Sequence, residues 1–198
     1  RAGGNPLFLE HLLSREVGAA DELPGSVHGV VQARMDELDE ESRRVAKAAS
    51  VLGQVVAAAA LEAVLGRPAA CGPLVRAGLF RPVPEGHLFS HAVVAESAYL
   101  SLPKAERAAL HRRAAAWFGP RDPALRAAHL DRAEDPGAAN AYLDAARAEA
   151  AAWRHDAAIA LAERGLAVAR EAGERYLLAR HRAEWLLEKG SAPDAGAA

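Results

Sequence analysis

The sequence predicts a mainly α-helical protein with one small β-hairpin, and three observations carry that expectation. Apolar residues recur at helical spacing along most of the 198 residues. A single stretch, Leu79-Phe80-Arg81-Pro82-Val83, then Pro84-Glu85-Gly86, then Leu88-Phe89, has the turn residues of a hairpin with an exposed tip. From Pro123 onward, alanine-rich helical segments follow one another at nearly regular intervals.

In chain order, Asn5 caps a first helix and Pro6 takes its first position, where a missing N–H costs nothing. Its apolar face is Leu7, Phe8, Leu12 and Leu13, and it fades near Gly18. Leu23-Pro24-Gly25 is a break. Ser26 then caps a helix to about Leu38 through Val27, Val30, Val31, Met35 and Leu38. Acidic residues between Asp36 and Glu41 favour the start of a third helix, which ends at Gly53. Further helices are expected over 57–65, stopped by Gly66-Arg67-Pro68, and over 70–77, stopped by Gly78. After the hairpin, Val93, Val94, Ala98 and Leu102 return to helical spacing. Three short helices, a hairpin and a helix are the order of a winged-helix domain, here about 40–102.

Lys104–Phe118 reads as a long helix with Leu110, Ala114, Trp117 and Phe118 on one side. Helices over 124–133, 137–151, 155–171 and 174–189 follow. The pair 137–151 and 155–171 reads as an antiparallel hairpin: Ala145, Ala146 and Ala158 allow close approach, while Tyr142, Trp153, Leu161 and Leu166 supply bulk. That is the logic of a helical repeat, whose units bury their faces by stacking. Trp117, Tyr142, Trp153 and Trp185 are expected as core and repeat-packing residues, the alternative being that they line a partner groove. The segments are thus 1–39, 40–120, 121–189 and a small-residue tail, 190–198, expected to be disordered.

Composition narrows the function. Hydrophobic residues make up 51%, but no apolar run approaches a membrane span, so a soluble protein is expected, with a cytoplasmic location and no membrane partner. One cysteine excludes an internal disulfide, and a net charge of −2 argues against a general nucleic-acid binder. The helix that would enter a DNA groove, 70–78, offers Arg76, and the hairpin's Arg81 is offset by Glu85, so nucleic acid is not expected as a partner. His87 and His91 are spaced like helical zinc ligands but straddle a strand–helix junction, with no His-Glu-x-x-His. No serine sits on a Gly-x-Ser-x-Gly elbow, so no nucleophile is assigned. Arg112 and Arg113, beside His111, could meet a phosphate, although a solvated helix face is the more common explanation. His91, at the hairpin–helix junction beside unpaired backbone N–H groups, suits an anion; the alternative is a packed junction histidine.

Several stretches share a resemblance, in order and spacing. Gly3-Gly4-Asn5-Pro6-Leu7-Phe8-Leu9-Glu10 resembles the segment closing the nucleotide-binding module of STAND-type ATPases, especially large ATP-binding LuxR-type regulators and cyclase-associated AAA-like proteins. Leu23-Pro24-Gly25-Ser26-Val27 with Arg34-Met35-Asp36 is similar to the linker helix after it. Phe89-Ser90-His91-Ala92-Val93-Val94, with Glu96 and Tyr99, resembles the family's Phe-Arg-His motif in its winged helix, and His111-Arg112-Arg113-Ala114 fits the next helix. The last part resembles the start of a tetratricopeptide-like array.

The resemblance implies that 1–39 ends an ATPase lid, that Pro6 packs near adenine, and that His91 approaches the ADP phosphates and holds a closed resting state. The array would receive a protein or small-molecule inducer. The chain departs from the family at Ser90, where Arg is usual, and at Ala95; losing a guanidinium removes a forked phosphate donor. Lys47, Lys104 and Lys189 follow Ala46, Pro103 and Glu188, so there is no Gly-Lys phosphate loop. The expectation is therefore a non-catalytic regulatory fragment that binds no cofactor alone. ADP or ATP would sit in an upstream nucleotide-binding module of a longer parent. The alternative is a stand-alone helical interaction scaffold without nucleotide sensing.

Overall fold

The structure is a computed structural model and describes residues 33–119 and 121–191. The expected helix from Asn5, with Pro6 in it, the break at Leu23-Pro24-Gly25 and the Ser26 cap lie outside the described residues. So does the tail from 192 on. The chain divides into two compact units, 1–107 and 108–198.

In the first unit, residues 33–36 are helical and Met35 and Leu38 are buried. Helix α1 (Glu40–Leu52) is capped by Asp39, whose Oδ1 accepts the Ser42 N–H at 2.7 Å, and Glu40 and Glu41 follow in its first turn. That bond and the Ser42 hydroxyl hold the Asp39 carboxyl below the usual carboxylate range. Val45, Ala46, Ala49 and Val51 bury the inner face.

The chain then forms strand β1 (Val55–Ala57), helix α2 (Ala58–Leu65), the short helix α3 (Gly72–Arg76), strands β2 (Phe80–Val83) and β3 (Gly86–Phe89), and helix α4 (Ala92–Leu100). Gly66 closes α2 in the left-handed region, its N–H bonded to the Glu62 carbonyl. β3 is the middle of an antiparallel sheet ordered β1-β3-β2, with Val56 opposite His87 and Phe80 opposite Phe89. Pro82 lies on the edge strand β2, where its missing N–H costs no ladder bond. Phe80 and Phe89 meet edge-to-face at 4.7 Å, fully buried with Leu61, Leu74 and Leu79. α4 packs Val94 and Ala98 inward and lies on α1.

Two expectations are corrected here. The sequence predicts a helix from residue 57, whereas Val55–Ala57 is a third strand; two β-branched residues paired with β3 outweigh the helix preference of the alanines that follow. The helix predicted over 70–77 is confined to Gly72–Arg76, because Gly72 and Pro73 permit only a helix start there.

The division between units falls within helix α5 (Lys104–Phe118), whereas the segment predicted from sequence runs on to residue 120. Leu110, His111, Ala114 and Ala115 of α5 are buried. The second unit continues with α6 (Pro123–Arg132), capped by Asp122, then α7 (Ala138–Ala151), α8 (His155–Val168) and α9 (Ala172–Ser191). Each packs on the next, with the most extensive contact between α7 and α8. Ala145, Ala146, Ala158 and Ala162 are almost wholly buried, and Leu143, Leu178 and Trp185 fill the space beside them. Of the side chains expected to supply bulk across this hairpin, Tyr142 is buried and Leu161 and Leu166 are partly buried against the core.

Trp153 is corrected: it is 83% exposed, at a positive φ of 61° in the α7–α8 turn, because that turn swings its indole away from the helix contacts. α8 ends at Val168 rather than 171. α9 continues through residues 190 and 191, so the start of the expected tail is helical. Among the described residues, no helix is long and apolar enough to cross a membrane.

Candidate functional site

Strand β3 delivers His91 to the first turn of α4. Phe89 anchors the strand in the core, and the Ser90 N–H donates to the Leu79 carbonyl at 2.9 Å, fixing the exit from the hairpin. His91 is then the N-cap of α4 in extended conformation (φ −141°, ψ 142°), and its carbonyl accepts the Val94 N–H at 3.0 Å. The N–H groups of Ala92 and Val93 have no acceptor within the helix, and no acidic residue lies in the first turn. A helix start of that kind is favourable to an anion. The His91 ring is half-buried and its Nε2 is inaccessible, so an outside ligand would have to be met through Nδ1 or through the backbone. His87, one strand turn earlier, leans on Phe80 at 5.5 Å instead of joining His91. Among the described residues no three His, Cys, Asp or Glu side chains gather as a metal site.

The second unit holds a polar pair that the sequence did not reveal. His111 and His129 are buried, with their Nδ1 atoms 2.9 Å apart, and Phe118 stacks on His129 at 5.3 Å and 5°. One Nδ1 must donate and the other accept, so the two rings are opposite tautomers when both are neutral. His111, beside the arginines read as a solvated face, itself lies in the core. Its signal was its place among Ala114, Ala115 and Phe118 at helical spacing. The neighbouring Arg112 is exposed and pairs with Asp135 at 2.9 Å.

Burial, assisted by the nearby Arg132 charge, depresses His129 from 6.5 to about 4. The unfolded chain therefore binds more protons between those values. Stability is full above pH 6.5 and is lost as the pH falls towards 4, by about 3 kcal/mol for this group. Urea unfolding followed by tryptophan fluorescence should show that loss, and His129→Gln should flatten it; identical acid profiles would refute the assignment.

An open cavity of about 200 Å³ is lined by Asp131, Glu134, Asp135, Ala138, Val168 and Arg170. Its charges are structural partners. Asp131 accepts from the Tyr142 hydroxyl at 3.0 Å and from Arg164 at 3.1 Å, and Arg170 donates to the Glu134 carbonyl. The Gly137 N–H and Arg112 hold the Asp135 carboxyl below its usual range, which suits it to an ion pair and not to proton transfer near neutrality.

Comparison with protein-family models, with curated proteins and with solved structures returned no match. Of the two residues expected to contact nucleotide, His91 stands at a helix start, and Pro6 lies outside the described residues.

Proposed function

We propose that the chain is a regulatory, non-catalytic segment of a STAND-like ATPase. It would couple the nucleotide state of an upstream module to a protein or small-molecule inducer on its helical repeats. The observation that carries this reading is the placement of His91 at the N-cap of α4, directly after the central strand of the sheet. The order α1-β1-α2-α3-β2-β3-α4 supports a winged helix, and the stacked α6 to α9 support the start of a tetratricopeptide-like array. The residues present suit the phosphate end of ADP through an imidazole nitrogen and helix N–H groups, with Ser90 supplying no guanidinium. What this chain does is position those donors; the adenine and the metal-bound phosphates would belong to the upstream module.

The alternative, a stand-alone interaction scaffold, is favoured by the inaccessible Nε2 of His91 and by the exposed Trp153, whose indole is available to a partner. Hydrogen exchange on the longer protein separates the two. In the switch, ADP slows exchange of the first α4 amides and ATP does not. In the scaffold, neither nucleotide changes them, and that result would sink the proposal.

A further inference from the structure

Helix α9 is apolar on two opposite sides. One side sends Leu178 and Trp185 into the core of the second unit. The other carries Tyr176, Ala179, Ala183 and Leu187 at steps of three and four residues, which keeps them on one face. All four are exposed, Tyr176 at 66% and Leu187 at 75%. An isolated exposed leucine needs no explanation, but an ordered stripe with tyrosine does.

We propose that this face binds the same face of a second copy, with the two α9 helices antiparallel. The stripe reads bulky–small–small–bulky in both directions. Reversing one copy therefore sets Tyr176 beside Leu187 of the other and brings the alanines together near the axis, where backbones approach closely. Charge fixes the same register. Arg180 and Glu184 flank the stripe on one side and pair within the chain at 2.9 Å. In the antiparallel arrangement that flank meets its own copy, so Arg180 lies opposite Glu184 and Glu184 opposite Arg180. One helix face is smaller than the roughly 800 Å² per partner of a standard interface, so the dimer is weak and concentration-dependent.

Sedimentation of the full chain over rising concentration tests this. The average mass should climb from that of one 20.8 kDa chain towards twice that value. Ala183→Glu, at an exposed position that leaves the fold intact by circular dichroism, should weaken association by about tenfold or more. The decisive arm mixes Arg180→Glu with Glu184→Arg. Each variant alone opposes like charges and stays monomeric, whereas the mixture restores opposite charges across the interface and associates. A wild-type chain that remains monomeric throughout overturns the proposal. So does an Ala183→Glu variant that associates as well as wild type, or a mixture no better than its components.

Discussion

Gly86→Ala should destabilise the first unit by about 3–5 kcal/mol. Gly86 opens β3 at φ +151°, a region that residues with a Cβ essentially do not occupy. A Cβ there would lie 2.3 Å from the Val56 carbonyl oxygen and 2.6 Å from the Ala58 nitrogen. Both are backbone atoms of the neighbouring β1 and the start of α2, so no rotamer change relieves the clash. Either β1 leaves the sheet or the turn rebuilds. Gly53 provides the control: its φ is +106°, but nothing lies within 4 Å of its would-be Cβ. Gly53→Ala should therefore cost only the conformational strain, about 1–2 kcal/mol. Urea unfolding by circular dichroism, with hydrogen exchange of the Leu88 and Phe89 amides, measures both. Equal losses for the two variants would mean that the β1–β3 contact at Gly86 is not as close as described.

The second large effect belongs to Gly165 in α8. A Cβ there would meet Leu178 Cδ2 at 2.8 Å and Tyr142 Cβ at 3.1 Å, so the missing side chain is what lets α8 lie against α7 and α9. Gly165→Ala gains about 1 kcal/mol of helix propensity and loses about 1–3 kcal/mol to overpacking, leaving a modest net change. Gly165→Val adds two methyl groups and little propensity, in a site where Leu178 is fully buried and cannot swing out. A loss of about 3–4 kcal/mol is expected. Trp185, buried between these helices, reports it by fluorescence during urea unfolding. A valine variant as stable as wild type would show that the hairpin repacks without strain.

Much of this architecture was legible because local chemistry and tertiary packing agree. Asp39 before α1, Gly53 after it, Gly66 after α2 and Pro84-Glu85-Gly86 at the hairpin are stop and start residues whose backbone roles do not depend on distant partners. The small residues of α7 and α8 were likewise readable, since alanine at helical spacing has few uses besides close approach. Strand β1 was not legible. Three residues carry no periodicity, and only pairing with β3 makes them a strand. Trp153 was misread because size argues for burial, while its position in the α7–α8 turn argues the reverse. The His111–His129 pair joins residues in two helices with no shared motif, so only the fold could bring them together. His91 was placed at a strand–helix junction, and it is there.

The most direct measurement of the proposed nucleotide-sensing role of His91 is the nucleotide affinity of the proposed longer parent with His91 intact and with His91→Ala, after a fold check by circular dichroism. An imidazole bonded to a phosphate is worth about 1.5–3 kcal/mol, or about ten- to a hundredfold in affinity. If that contact exists only in the closed ADP state, His91→Ala weakens ADP by that factor and leaves ATP nearly unchanged, since only differential binding moves a switch. Equal losses for both nucleotides, or no loss for either, would contradict the account and return His91 to a packed residue at the start of a helix.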